Sequence, residues 1–284
     1  MTIDAHHHFW QFDPIRDAWI DDTMQVIRRD FLPVDLEPIL EEHNIDGCVA
    51  VQADQSESET EFLLQLAEDH SFVKGVVGWV DLVADDLLDR LSHYAKSPFF
   101  KGVRHIAQGE ADDYFHRADV QNGIGQLAQY DLTYDILIYG HQLPAAIELV
   151  RLFPNQRFVI DHIAKPKISE GMNTFYQQNI EKIASFSNVY CKLSGMVTET
   201  KNMQWTKNDF TSFMDLIFSS FGIDRILYGS DWPVCLLAST YQEQLSIVQS
   251  YISTFSVIDK KKIMGSNAID FYKLKVDKNI NQTT

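Results

Sequence analysis

The sequence predicts a (β/α)8 barrel built as one domain. Three observations predict it. Eight short runs rich in β-branched and aromatic residues recur along the 284 residues, with helix-like segments between them. Each run is close to continuously apolar, which suits strands buried on both faces, as in a parallel sheet. Several runs also end in a polar, chemically capable residue, and barrels carry their catalytic groups at the C-terminal ends of their strands. The alternative is an open doubly wound sheet. That fold usually carries a Gly-rich phosphate turn after its first strand, whereas the first run here ends in histidines and a tryptophan, with no GxGxxG behind it.

The strand runs are Ile3–Phe9, Asp46–Ala53, Val73–Asp81, Phe99–His105, Thr133–Gly140, Arg157–His162, Val189–Gly195 and Arg225–Asp231. Between them, Glu57–Asp69 sets Phe62, Leu63, Leu66 and Ala67 on one stripe with acidic residues opposite, the pattern of a helix packed on a core. Leu143–Leu152 contains Pro144, well suited to an early helical position. Lys207–Phe221 carries Phe210, Phe213, Met214, Ile217 and Phe218 at helical spacing, and Tyr241–Phe255 repeats the pattern. Ser266–Tyr272 predicts a short closing helix capped by Ser266, and the polar tail after Leu274 is expected to fray.

Bulk properties narrow the function classes. A chain of this length with 45% hydrophobic residues needs no staples to form a core. No Pro/Gly/Ser-rich linker or break in composition divides it, so a single domain over 1–284 is expected. A net charge of −16 argues against nucleic acid and against an anionic membrane surface, and is read as a solubility feature. Self-association into a homo-oligomer stays open. The cysteines, Cys48, Cys191 and Cys235, are widely spaced and form no CxxC pair, which points to a reducing compartment. There is no signal-peptide pattern and no run of 18 apolar residues, so a cytoplasmic location is expected.

The opening run, Ile3-Asp-Ala-His-His-His-Phe-Trp10, holds the first chemical clue. Side chains alternate along a strand, so His6 and His8 face one way and His7 the other. Asp231 closes the eighth run in Tyr228-Gly-Ser-Asp-Trp-Pro233. An acid at a buried strand end is costly unless paired. Opposite His6 and His8 it completes a set able to hold one zinc-like cation with a position left for water; without metal it can serve as general base. The competing reading is an ordinary loop acid. His162, in Asp161-His-Ile-Ala-Lys-Pro166, is suited to proton transfer, or is a core histidine bonded to a neighbouring acid. Arg104, in Gly102-Val-Arg-His105, must be paired or face a polar pocket. In a pocket it suits a carboxylate or a developing oxyanion. Lys192 admits either a pocket role or a barrel ion pair. His141 stands just beyond the fifth run, as a pocket residue or a surface one. Trp10, Trp79 and Trp232 lie near strand ends, where they wall a pocket or pack the core. No Gly-x-Ser-x-Gly elbow, Walker loop or cysteine-nucleophile signature is present.

Taken together, the motifs Ile3–Trp10, Val76–Asp81, Lys101–His105, Asp161–Pro166, Lys192–Gly195 and Tyr228–Pro233 resemble the amidohydrolase superfamily, in its amidohydrolase 2 branch. Within it the chain is similar to the sugar-acid lactonases, of the L-fuconolactonase and L-rhamnonolactonase kind. The resemblance implies a distorted barrel, with His6, His8, His162 and Asp231 at the superfamily's metal or catalytic positions. Many binuclear members carry a bridging Lys or Glu and two further His. Here the fifth run offers no Lys or Glu at its end, and the seventh has Lys192-Leu-Ser rather than a His. The resemblance therefore implies one divalent ion, zinc, or none.

The reading that follows is opening of a sugar-acid lactone by water. Asp231 takes the proton of the water. Arg104, His162 or a metal on His6 and His8 polarises the carbonyl, and His162 or a water relay protonates the departing ring oxygen. Trp79, His105, His141, Lys192 and Trp232 are expected to contact the hydroxyl-rich substrate. A metal-dependent amide hydrolase or decarboxylase, and a non-catalytic barrel that binds a sugar acid, are the alternatives.

Overall fold

A computed structural model describes residues 1–275. The fraying expected of the tail falls almost wholly outside them. The eight strands are β1 (Ile3–His7), β2 (Gly47–Val51), β3 (Val73–Gly78), β4 (Phe100–His105), β5 (Thr133–Ile136), β6 (Phe158–Ile160), β7 (Val189–Leu193) and β8 (Ile226–Tyr228). They form one parallel sheet in sequence order. The sheet curls until its edges meet. Across the seam His8 N donates to Trp232 O at 2.7 Å and Asp231 N donates to His6 O at 2.8 Å. The result is the (β/α)8 barrel that the eight runs predict.

Among the described residues ten α-helices accompany the strands: α1 (Pro33–Glu42), α2 (Glu57–Asp69), α3 (Leu87–Tyr94), α4 (Ala118–Ile124), α5 (Leu143–Leu152), α6 (Thr174–Ala184), α7 (Lys207–Phe221), α8 (Tyr241–Tyr251), α9 (Val257–Lys261) and α10 (Asn267–Tyr272). Local signals set several starts. Ser56 accepts from Glu59 N to cap α2, Asn173 accepts from Tyr176 N to cap α6, and Thr240 with Glu243 forms a capping box on α8. Two expectations need correction. The Tyr241–Phe255 helix ends at Tyr251, and a 3₁₀ turn over Ile252–Thr254 follows it. The closing helix lies over Asn267–Tyr272 as expected, but Ser266 before it makes no side-chain cap. Ser256 caps α9 by accepting from Asp259 N at 3.1 Å, and the chain runs through a π turn at Lys262–Ser266 into α10, so that Ser266 lies inside a helical stretch with φ −59° and ψ −39°. Ser266 resembles a cap in sequence, but the turn before it is already helical.

The core has two parts. The larger lies between strands and outer helices. The smaller fills the lower half of the cylinder: Ile3, Ala5, Val49, Val51, Val77, Val159 and Leu227 pack against Phe271, Tyr272 and Leu274 at the C-terminal end. α10 and the residues after it therefore plug the bottom of the barrel. Cys48, Cys191 and Cys235 are buried and free. Among the described residues no helix is long and apolar enough to cross a membrane.

At the seam the helical stretch before α10 presses on the N-terminus. A Cβ added at Gly265 would stand 2.1 Å from Met1 O. Helix propensity alone predicts that Gly265→Ala stabilises by up to ~1 kcal/mol. The contact with backbone reverses the sign, and the variant is expected to lose about 1–3 kcal/mol, read as a lower urea unfolding midpoint.

Candidate active site

The histidine pair owes its aim to a bulge in β1. Asp4 pairs with Cys48 and His7 with Ala50, so β1 carries one residue more than β2 over this stretch. Ile3 and Ala5 thus join the inner cluster, while His6 and His8 both turn toward the upper interior. Bulges at barrel rims re-aim side chains in this way. His7 faces away and packs edge-on against Phe9, its ring centroid 4.4 Å distant. Neither of its ring nitrogens has a partner, and burial lowers its pKa to about 3, so it is a neutral core residue.

Asp231 follows β8 with φ +58°, in the left-handed region that non-glycine residues seldom adopt. The turn is fixed from below: Asp4 Oδ1 accepts from Ser230 N at 2.8 Å and Tyr241 donates to Asp4 Oδ2 at 3.1 Å. His162 follows β6 and begins a second left-handed stretch. His162, Ile163, Ala164 and Lys165 have φ of 54°, 50°, 61° and 44°. Each such residue costs roughly 1–2 kcal/mol, most for β-branched Ile163, so neighbours must hold the turn. Tyr176 donates to Ile163 O at 2.6 Å, and Ile163 and Ala164 are fully buried. Gly195 leaves the room His162 needs: a Cβ there would stand 2.3 Å from His162 Nδ1.

Three ligand residues, His6, His8 and Asp231, converge at the C-terminal mouth, with His162 beside Asp231. His6 Nε2 and His8 Nε2 are 3.2 Å apart. Asp231 Oδ1 lies 3.4 Å from His8 Nε2 and 3.8 Å from both His6 Nε2 and His162 Nε2. A tetrahedral ion bound at ~2.0–2.1 Å has ligand–ligand edges of ~3.3–3.4 Å, and His6, His8 and Asp231, with edges of 3.2, 3.4 and 3.8 Å, come near it. The outer nitrogens are held as metal-site histidines usually are: His8 Nδ1 by Val51 O at 2.8 Å, His162 Nδ1 by Ser194 Oγ at 2.9 Å, and His6 Nδ1 beside Asp161 Oδ1 at 3.3 Å. Burial pushes His6 and His162 well below the ordinary histidine range and His8 below it too, so the rings are neutral and their lone pairs available. The residues therefore fit one cation.

His6 admits two proton arrangements. With Nδ1 protonated beside Asp161 Oδ1, 3.3 Å away, Nε2 is bare for an ion. With Nδ1 accepting from Lys192 Nζ at 3.2 Å, Nε2–H donates to His8 Nε2. The second arrangement closes the cluster without metal.

Beneath the histidines the upper barrel is ionic. Lys192 Nζ lies 2.6 Å from Asp135 Oδ2 and 2.9 Å from Asp161 Oδ1, with all three side chains fully buried. Tyr272, from the plug, donates to Asp135 Oδ2 at 2.6 Å, and Thr133 donates to Asp135 Oδ1 at 3.2 Å. Arg104 Nη1 donates to Asp161 Oδ2 at 3.1 Å and its Nη2 donates to Gln52 O. Burial alone would raise Asp161, but Lys192, His6 and Arg104 more than offset it and hold its carboxyl well below the usual range. Asp231 is likewise drawn down, burial being outweighed chiefly by His162 and His8.

Above this floor opens a cavity of about 240 Å³. His8, Arg104, His162, Lys165 and Asp231 line it, with half-exposed Trp19 at its edge. The structure thus brings together His6, His8, Arg104, His162 and Asp231. The expected substrate contacts are placed otherwise. Lys192 lies below the cavity in its ion pairs. Trp232 is 1% exposed and packs edge-on against Phe31, ring centroids 5.1 Å apart. Trp79 Nε1 donates to His105 Nδ1 at 3.3 Å, and His105 stacks on Tyr114 and pairs with Glu110; neither lines the cavity. His141 is an exposed loop residue, 3.1 Å from Asp112. Sequence reasoning assigned no role to Asp135, Asp161, Gln52, Lys165 or Trp19. A signal existed for two of these, since an isolated charge in a buried run demands a partner, and Asp135 and Asp161 are the acids that Lys192 and Arg104 require.

Comparison with known proteins decides the family. The Amidohydrolase family model matches residues 3–274. The chain belongs to the amidohydrolase family. It is 35% identical over 279 residues to an L-fucono-1,5-lactonase of Burkholderia ambifaria, and 33% identical over 289 residues to one of Burkholderia multivorans, with 96% of each chain covered in both pairs. An amidohydrolase of Burkholderia multivorans solved with bound zinc superposes with a TM-score of 0.93 at 33% identity, over 97% of this chain and all of that one. Likeness to an L-rhamnono-gamma-lactonase of Scheffersomyces stipitis is 21% and covers 51% of this chain and 49% of that one.

Lys192 pairs with two buried carboxylates. Lys192→Met removes one of the two balancing cations and leaves Asp135 without a charge partner while Arg104 still faces Asp161, so it is expected to cost about 3–5 kcal/mol, measured by urea unfolding of the purified variant.

Proposed function

We propose that this amidohydrolase opens a sugar-acid lactone by adding water to its carbonyl. The observation that carries the reading is Asp231 Oδ1 lying 3.4 Å from His8 Nε2 and 3.8 Å from His6 and His162 Nε2, on the wall of a small cavity that is apolar on its other side. Its carboxyl stays ionised near neutral pH, so it can accept a proton from water. The lactonase names of the relatives that match the whole chain support the substrate class, and L-fucono-1,5-lactone is the first substrate to try. The cavity is small beside common ligand pockets of ~300–1,000 Å³, which suits one monosaccharide ring.

In this reading Asp231 holds the water and takes its proton as the new C–O bond forms. His162, 3.8 Å from Asp231 on the same wall, can take that proton from Asp231 and pass it to the ring oxygen as the C–O bond breaks. Arg104 lends positive field beside the carbonyl. Asp161, Val51 and Ser194 hold the three imidazoles in place. His6, His8, His162 and Asp231 would hold the ion, for which zinc is proposed. When bound, zinc polarises a carbonyl and lowers the pKa of water to ~7.

Acid release from a panel of aldonolactones, followed with a pH indicator, tests the activity. Wild-type protein is expected to open L-fucono-1,5-lactone, and release of acid from none of the panel overturns the reading. Asp231→Asn is expected to lower kcat about 10²–10⁴-fold, with an unfolding midpoint near that of wild type.

A separate measurement tests the ion. Because His6 has a satisfied metal-free arrangement, protein stripped by a chelator is expected to remain folded. Adding zinc back is expected to raise the Tm as ligand binding to the native state must. His6→Ala with His8→Ala is expected to abolish that rise. An unchanged Tm in wild type would remove zinc from the proposal.

A further inference from the structure

The left-handed stretch after β6 does more than aim His162. Its hydrogen bond runs from Lys165 N to His162 O at 2.8 Å, spanning three residues. In such a tight coil side chains at i and i+3 stand over one another. His162 and Lys165 therefore both reach the cavity, while Ile163 and Ala164 between them are buried. A right-handed helix leaving β6 would carry the lysine elsewhere. The backbone strain thus delivers two side chains to one wall, a use to which strained segments at active sites are often put.

The two cations at the cavity differ in what already occupies them. Arg104 has one terminal nitrogen on Asp161 and the other on Gln52 O, and is 3% exposed. Its guanidinium is fixed by protein acceptors. Lys165 has a long, unbranched stem and an ammonium bearing three donors. Among the described residues its acidic neighbour, Glu199 Oε1, is 3.9 Å away, beyond hydrogen-bond length, and its Nζ lies 6.0 Å from the Tyr139 ring centroid. An ammonium this lightly engaged, on the same wall as the proposed base, has hydrogens to give to an incoming group.

We propose that Lys165 is a catalytic residue that donates a hydrogen bond to the carbonyl oxygen of the lactone as it becomes an oxyanion. The proposal rests on the lactone-opening reading above and names a donor that reading leaves unassigned. As the water oxygen bonds to the carbonyl carbon, its proton goes to Asp231 and the carbonyl π pair moves onto oxygen. The Lys165 ammonium bonds to that oxygen without giving up its proton. When the pair returns, the ring C–O bond breaks, and the departing oxygen takes the proton held by Asp231, directly or by way of His162, restoring the charge state of the wall. The product is the open hydroxy acid, which ionises in water. Positive charge close to an oxygen whose charge grows along the reaction favours the transition state over the bound substrate.

The test compares wild type, Lys165→Met and Lys165→Arg with L-fucono-1,5-lactone, with acid release giving kcat and KM separately. Both replacements keep an unbranched side chain at the strained position, and a urea unfolding midpoint is taken for each. Lys165→Met is expected to lower kcat roughly 10²–10³-fold, the size of a lost oxyanion donor, with KM within about twofold because the contact forms in the transition state. Lys165→Arg is expected to recover at least a tenfold part of the loss. A raised KM with unchanged kcat in Lys165→Met would make Lys165 a ground-state contact to a hydroxyl and overturn the proposal, as would unchanged kinetics or a failure of arginine to restore rate. Wild-type protein that opens no lactone at all would instead overturn the functional reading, and this inference with it.

Discussion

At the seam of the barrel, Asp231 N donates to His6 O and His8 N donates to Trp232 O. These two backbone bonds join the first strand to the turn after the last. They lie 225 and 224 residues apart in sequence, as residue numbers 231 less 6 and 232 less 8 give, yet they set the spacing of the whole site. With the backbones zipped in this register, His6, His8 and Asp231 meet whatever the loops do. The bulge in β1 then turns both imidazoles inward, and Asp4 fixes the turn on the far side by accepting from Ser230 N. Closure of the sheet and assembly of the site are one event. This is how a barrel combines a rigid wall with groups drawn from both ends of the chain.

The barrel interior is divided. Its lower half is apolar and plugged by Phe271 and Tyr272, and its upper half is a stack of Asp135, Lys192, Asp161 and Arg104. Taking these charges out of water costs more than an apolar filling would. What the stack supplies is orientation. Asp161 Oδ1 faces His6 Nδ1 at 3.3 Å, and Lys192 Nζ lies 3.2 Å from the same nitrogen. Tyr272 ties the plug to Asp135 and so connects the bottom of the fold to the layer under the histidines. Two carboxylates balance one ammonium and one guanidinium, so the layer stays neutral while each member holds a definite direction.

Much of this could be read from the chain alone. Eight apolar runs with helices between them define the barrel, because strands covered on both faces have no polar side to show. The alternation of His6 and His8 against His7 follows from the period of a strand, and the ends of β6 and β8 mark His162 and Asp231. Burial of Trp232 and Lys192 and exposure of His141 are matters of packing, and in sequence each is compatible with a pocket. The chain is already helical from Val257 through the π turn before α10, so the cap that Ser266 signals locally is not made.

What the sequence determined by itself is the set of strands and the residues that end them, since periodicity and apolar content are local properties. What only the tertiary structure decided is which charged groups face one another: the pairing of Lys192 with Asp135 and Asp161, the fixing of Arg104 by Gln52 and Asp161, and the delivery of Lys165 beside His162. These depend on sheet closure, strand register and a left-handed turn. The reason is physical: the electrostatics of a buried group depend on distances across the cylinder, and a sequence specifies those distances only once the chain has folded.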